Sequence, residues 1–527
     1  MATRSHASSP KGAVACGHPL TAAAAREVLE DGGNAFDAVL AAMCAATVVE
    51  PVLCSLGGGG FLLAQPAGAE ACLYDFFVET PLVRRPVAEL DFYPILADFG
   101  TATQEFHIGL GSMATPGAVM GLFEVHRDLA HLPMTRLVEP AVRLAREGWP
   151  LRAVDSYIFS VVGAILLARA ESRSTYTGPD GRLLQEGQVL RQPDLADSLD
   201  ALAREGAGLF YEGELGRSLI EACEREGGQL AAQDLARYRV ERRRPLERRY
   251  GGTRILTNPP PSSGGILIAF ALELLDQRKI GDLTWGSTDH VELLNHVMAL
   301  TNRARIESRL HEALDESEEA AAADRLFDPA LLATYAHEVA GRPRATRGTT
   351  HLSVADAAGN LAAMTLSNGE GCGYVLPRSG IIMNNMLGEE DLSPRGFHQW
   401  PEASRISSMM APSIAIWPDG AVAALGSGGS NRIRTAILQV LVNLIDFAMP
   451  VADAVQAPRL HFENGVANLE PGFDPACPEA LGRLVESVKP WPPNNLFFGG
   501  VHAVTRSATG ELAAAGDPRR GGAALLA

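Results

Sequence analysis

The spacing of apolar residues changes character once along this chain, near residue 348. Before that point the helical period dominates. Thr21 to Asp31 is an Ala-rich helical stretch that stops at Gly32-Gly33, where a residue without Cβ suits a helix end. Asn34 then caps a second helix, with Asp37 in its first turn. The run Gly57 to Gly60 leads into the apolar strand Phe61-Leu62-Leu63, a turn at Pro66-Ala67-Gly68 and a second strand near Ala71 to Phe77. From Gly117 to Arg309 the pattern is mostly helical. Pro140 to Glu147 and Leu195 to Glu205 are amphipathic, and Gly264-Gly265 open an apolar helix through Leu275. The acidic segment Asp315 to Asp324 has little apolar periodicity and reads as a solvated helix end or a loop. The polar stretch from there to Gly348, with Gly341-Arg342-Pro343-Arg344, reads as an exposed, cleavable connection.

After Thr349 strands take over. His351 to Val354 and Leu361 to Thr365 flank the turn Ala357-Ala358-Gly359-Asn360, and Ser413 to Trp417 and Ala421 to Leu425 flank Pro418-Asp419-Gly420. Arg434 to Phe447 is an apolar helix, and short strands return near Val501 to Val504 and Leu512 to Ala515. This order predicts a layered α+β body in which buried sheets are covered by helices. Neither side of residue 348 holds a complete set of strands, so the boundary divides chains that share one fold.

Composition narrows the partners more than the chemistry. The chain has 527 residues, 46% hydrophobic and 20% charged, long enough for more than one domain. Its formal net charge of −17 argues against nucleic acid and an anionic membrane, both of which need a basic surface. Seven scattered cysteines, with no Cys-x-x-Cys pair, indicate reduced thiols and no structural zinc. Met1 to Leu20 shows no apolar signal region, and Ala38 to Val49 is too short to span a bilayer; a cytoplasmic protein is expected.

The candidate chemistry sits at the boundary itself, in Gly348-Thr349-Thr350-His351. A hydroxyl needs a base within hydrogen-bond reach. Cutting the chain before Thr349 supplies one, because the freed α-amine, with a reference pKa of about 7.7–8.0, is partly neutral near pH 7. Gly348 would allow the strained turn that brings the hydroxyl onto the preceding carbonyl. Taken alone, Gly-Thr-Thr is a weak signal, since most such tripeptides merely start a strand.

The series of motifs decides between the two readings. Gly17-His18-Pro19-Leu20, Asp31-Gly32-Gly33-Asn34-Ala35-Phe36-Asp37-Ala38, Val49-Glu50-Pro51 and Gly57 to Phe61 come first. Pro260-Pro261-Ser262-Ser263-Gly264-Gly265, Thr349 to Val354, Gly380 to Asn385, Ser407-Ser408-Met409, Gly426-Ser427-Gly428-Gly429 and Ala457-Pro458-Arg459 follow. In this order they resemble the γ-glutamyltranspeptidase family of N-terminal-nucleophile hydrolases. The resemblance implies a four-layer αββα sandwich with no metal or organic cofactor. It implies self-cleavage into a large subunit, residues 1–348, and a small subunit, residues 349–527, which begins with the nucleophile Thr349. Ser367 stands where the family has a second Thr that hydrogen-bonds the nucleophile. Gly428-Gly429 resembles the pair whose amides form the oxyanion hole, although an ungapped match gives Gly429 and Ser430. Asn368, Glu389, Ser407 and Ser408 match substrate-binding positions. His351 reads as a packing histidine and Cys372 as a bystander; Gly57 to Gly60 divides evenly between a tight turn and a site role, and Pro260 to Gly265 reads as a rigid helix entry.

One family feature is missing. The Arg that pairs the substrate's α-carboxylate would fall on Phe77 or Val78, and the amino-binding side has Met386 in place of a polar residue; Arg84 and Arg85 lie nearby in sequence. Losing an Arg–carboxylate fork removes a strong orienting contact. The expected reaction is therefore amide cleavage through an acyl-Thr intermediate, with water or an amine as acceptor and a small-molecule amide as substrate. γ-Glutamyl compounds such as glutathione are the family default. The alternatives are a different amide, such as oxamate or a β-lactam side chain, or an inactive interaction protein, which the retention of Thr349, Ser367 and the Gly pair argues against.

Overall fold

The computed structural model describes residues 10–98, 103–308, 310, 316–327, 348–393 and 395–527, and two antiparallel sheets form its centre. The first runs Ala523–Leu526, Gly12–Cys16, Thr350–Asp356, Leu361–Ser367, Gly59–Gln65, Cys72–Phe76 and Glu241–Arg243. The second runs Leu512–Ala515, Gly500–Arg506, Val422–Gly428, Ser413–Ile416, Thr253–Thr257 and Leu246–Tyr250. Both sheets combine strands from before and after residue 348, as the incomplete strand sets required.

Alternation along each strand divides the core in two. Val14, Cys16, Leu352, Val354 and Met364 pack with the helices Pro19–Glu30 and Ala35–Val49. Ala13, Ala15, Leu63, Ala355 and Ala363 face the other way and share a core with Ala423, Leu425 and Val504 of the second sheet. The small side chains on that inner face let the sheets approach closely. The helices Ser263–Asp276 and Arg432–Ile445 cover the second sheet from outside. Every residue of Ala35–Val49 is buried, which is why it is apolar on all sides: it lies between the first sheet and the helix Met134–Glu147. Its start is the predicted one. Asn34 Oδ1 accepts from the Phe36 and Asp37 amides, and Asp37 Oδ2 from the Asn34 amide.

Three elements differ from the pattern-based reading. Gly12–Cys16 is a strand although its residues, Gly-Ala-Val-Ala-Cys, carry little β preference; pairing on both edges, with Thr350–Asp356 and Ala523–Leu526, forms it. The helix containing Pro140 begins at Met134, because burial of Leu137, Val138 and Ala141 outweighs the one backbone bond that proline removes. Glu316–Leu326 is a helix whose Ala322 and Leu326 are buried, with Arg325 Nη2 donating to Ser308 O at 2.6 Å. Asp315 and Gly341 to Arg344 lie outside the described residues.

Candidate active site

Thr349 stands immediately before the strand Thr350–Asp356, and the register that pairs Thr350 with Leu366 brings Ser367 alongside it. The carbonyl of Gly348 is held between two hydroxyls. Thr349 Oγ1 donates to Gly348 O at 2.7 Å and Ser367 Oγ donates to the same oxygen at 2.9 Å. Gly348 N–H donates to Glu370 Oε1 at 2.9 Å, and Ser367 Oγ accepts from Gly369 N–H at 3.1 Å. The peptide bond before Thr349 is thus fixed on both sides, with the hydroxyl that could attack it in contact with its carbonyl. Close approach behind Ser367 requires Gly58, where a Cβ would come within 2.5 Å of Ser367 O. The glycine run is accordingly a packing device, and no residue of it lines the cavity described next.

A cavity opens over Gly348, Thr349 and Ser367. Glu389, Ser407 and Ser408 reach its wall. The helix-entry motif explains how Ser408 is held: Ser408 O accepts from Ser263 N–H at 3.0 Å and Ser262 Oγ at 2.9 Å, while Ser408 Oγ accepts from Met410 N–H at 3.0 Å. Two expectations change. Asn368 is not on the wall: it follows Ser367 at the end of a strand, its side chain points to the opposite side, and it is buried against Gly58. Gly428 and Gly429 are not on the wall either. The strand Val422–Gly428 passes under Thr349, so that a Cβ on Gly428 would lie 2.0 Å from Thr349 O. The chain then turns at Gly429 (φ +121°) and Ser430 (φ +52°), which brings Ser430 to the cavity. The ungapped pair therefore lies nearer to it.

Of the two positions that could have carried the family Arg, Phe77 faces the cavity and Val78 is fully buried away from it. Phe77 stacks on Phe61 with ring centroids 5.4 Å apart. Its carbonyl accepts from Arg405 and, at 2.6 Å, from Tyr238 Oη. Arg405 is itself buried and committed to Asp75 and Glu79, at 3.4 and 3.2 Å. Arg84 pairs with Glu402 on the surface, and Arg85 donates to Cys223 O and Gly228 O, so neither supplies the missing cation. Met386, Leu387, Trp400, Ile406 and Met410 make the wall predominantly apolar, with Arg305, Glu389 and Asp391 as charged members. These come from segments far apart in the chain, and apart from Met386 nothing in the sequence singled them out.

The nearby titratable groups are quiet. His351 is fully buried; Ser353 Oγ donates to His502 O, so His351 Nε2–H donates to Ser353 Oγ at 2.9 Å and Nδ1 accepts from Thr365 Oγ1 at 2.8 Å. Burial holds this imidazole well below the ordinary histidine range, and therefore neutral. Cys372 is buried and its thiol is pushed up to about 12. Neither group lines the cavity.

Two facing antiparallel sheets, outer helices and a hydroxyl-flanked carbonyl at the head of a central strand define the N-terminal-nucleophile hydrolase class. A model of the γ-glutamyltranspeptidase family matches residues 21–527, and the chain belongs to that family. Its relatives include an acylase ACY 1 proenzyme of Pseudomonas sp. strain V22, 34% identical over 90% of this chain and 87% of that protein. A glutathione hydrolase proenzyme of Escherichia coli K12 is 29% identical over 94% and 88%. Among solved structures, a cephalosporin acylase from Bacillus halodurans superposes with a TM-score of 0.84 at 25% identity, covering 98% of this chain and 96% of that one. The protein is thus an amidohydrolase or acyltransferase of this family.

Proposed function

We propose that the chain cuts itself between Gly348 and Thr349, and that Thr349 then cleaves amide bonds through an acyl-Thr intermediate. Residues 1–348 become the large subunit and residues 349–527 the small subunit, together one four-layer αββα body. The observation that carries this reading is the Gly348 carbonyl held between the Thr349 and Ser367 hydroxyls. In the self-cut, Thr349 Oγ bonds the Gly348 carbonyl carbon, the carbon–nitrogen bond breaks, and the hydroxyl proton passes to the Thr349 nitrogen. Water then hydrolyses the ester, leaving a carboxylate on Gly348 and a free α-amine on Thr349. In turnover that amine takes the hydroxyl proton as Oγ attacks the substrate amide, and returns it to the leaving amine. The acyl group passes from Thr349 to water or to an acceptor amine. Ser367 hydrogen-bonds the nucleophile, and backbone amides of the Gly428-Gly429-Ser430 turn stabilise the oxyanion.

γ-Glutamyl compounds such as glutathione are the family default. Phe77 favours the second reading, an acyl group with an apolar body of the kind found in β-lactam side chains. A glutamyl head brings a carboxylate that Phe77, standing where the family has Arg, cannot pair; Arg305, Ser407 and Ser408 are on the wall, but an apolar acyl body packs against Phe77, Met386 and Trp400 with no charge to desolvate. The deciding experiment incubates matured protein with glutathione, oxamate and phenylacetyl-type amides. Glutamate release without turnover of the apolar amides would overturn the apolar reading; a small chain that does not begin at Thr349 would overturn the self-cut. We also propose a cytoplasmic site of action, supported by seven free thiols, six of them buried.

A further inference from the structure

The side of Thr349 away from the cavity holds a charged group that the mechanism above does not use. Arg520 Nη1 donates to Thr349 O at 3.5 Å. Its side chain runs through a slot made by three glycines. A Cβ on Gly500 would lie 2.6 Å from Arg520 Cδ, one on Gly429 3.2 Å from Nη2, and one on Gly428 3.4 Å from Nη1. Any other residue at Gly500 would displace the stem. The slot is fixed by a buried network at the adjoining residues: Asp517 Oδ2 accepts from Arg459 Nη2 at 2.5 Å and from Val501 N–H at 2.9 Å, and Arg519 Nε donates to Glu470 Oε1 at 3.0 Å. Beyond Arg520 is a small cavity also lined by Glu50, Arg152 and Asp155. Arg520 Nε is buried with no hydrogen-bond partner among the described residues, and burial holds this guanidinium down to about 10.

We infer that Arg520 is a positioning residue for the mature nucleophile: it pins the Thr349 carbonyl and holds the α-amine of Thr349 below its ordinary pKa, keeping the catalytic base neutral near pH 7. The carbonyl oxygen and nitrogen of one residue are only a few ångströms apart, so the guanidinium carries a fixed positive charge beside the amine that must stay unprotonated. Like charge in a poorly solvated place disfavours the ammonium form. The other charged and titratable groups around this point are accounted for. Glu50 accepts from Thr350 Oγ1 at 2.7 Å, and burial raises its carboxyl. Glu370 bonds the Gly348 amide, Glu389 stands beside Gly369, and Asp391 and Arg305 lie on the cavity wall. Asp517 lies behind Arg520, and His351 and His502 are buried and neutral.

This inference rests on Thr349 being the N-terminus of the small chain, and the test separates the two. Matured protein is treated with cyanate across pH 5.5 to 9.5, and carbamylation of the Thr349 α-amine is followed by mass spectrometry of the N-terminal peptide of the small chain. The wild-type amine should titrate about one unit below the free-peptide value of about 7.7–8.0. Arg520→Met should raise it by about a unit, so that reaction at pH 6.5 slows roughly tenfold while reaction at pH 9 is unchanged. Arg520→Lys keeps the charge and should leave the value in place. A wild-type amine titrating at or above about 8 overturns the proposal without any variant, as does an Arg520→Met profile superimposable on the wild type. If wild-type protein has no small chain beginning at Thr349, the self-cut reading has failed instead.

Discussion

Replacing Ser367 by alanine tests the self-cut where the structure is most specific. In the uncut chain the Gly348 carbonyl oxygen accepts from Thr349 Oγ1 at 2.7 Å and from Ser367 Oγ at 2.9 Å. Once Thr349 Oγ attacks the carbon it no longer donates, and Ser367 is left as the side-chain donor to an oxygen that becomes anionic. Removing one such donor costs about 2.7–4 kcal/mol of transition-state stabilisation, a slowing of about 10²–10³-fold. The same substitution takes an acceptor from the Gly369 amide, at 3.1 Å, which costs stability of about 1–3 kcal/mol but burdens ground and transition states alike. The assay is a time course of freshly expressed precursor, resolved as one chain becoming two, with the small chain sequenced from its N-terminus and the fold checked by circular dichroism. Ser367→Thr retains the hydroxyl and should cut within a few-fold of wild type. If folded Ser367→Ala matures as fast as wild type, the hydroxyl does not polarise the Gly348 carbonyl and the reasoning fails.

Thr349→Ala should remain a single chain of 55.9 kDa under all conditions, and the appearance of a cut at 348 would exclude threonine as the agent. The two candidate positions for the missing Arg should behave differently. Val78→Arg buries a charge with no partner and should give insoluble protein, whereas Phe77→Arg should stay folded and shift relative kcat/KM from apolar amides toward γ-glutamyl ones; equal solubility of the two variants would contradict the assignment. Stability should fall as pH drops below about 6.5. His290 and His502 are held down to about 4 and His351 well below the ordinary range, so the unfolded chain takes up protons there that the folded protein refuses, at about 1.4 kcal/mol per pH unit for each. A urea midpoint unchanged between pH 6.5 and 4.5 would show that these imidazoles are not buried and neutral.

Local chemistry wrote much of this protein legibly into its sequence. The Asn34–Asp37 cap, the turn at Gly359 and the apolar all-round helix Ala35–Val49 follow from residue preferences acting over a few positions. The ordered motifs fixed the family and singled out Thr349 and Ser367. What the sequence left open was decided by contacts between distant segments. Gly12–Cys16 becomes a strand only because partners on both sides supply its hydrogen bonds. Which of Phe77 and Val78 faces the cavity depends on how the chain leaves the strand Cys72–Phe76, with Asp75 Oδ1 accepting from the Phe77 amide at 3.0 Å. Asn368 turns away because it falls one residue past the cavity-facing Ser367. Arg520, at the far end of the chain, reaches Thr349 only through a slot of three glycines drawn from two neighbouring strands and the turn between them and the cavity. Sequence spacing singles out Thr349, because a motif is a property of one residue and its neighbours. The shape of the cavity and the electrostatics behind Thr349 are sums over residues hundreds of positions apart, and only folding brings those terms together.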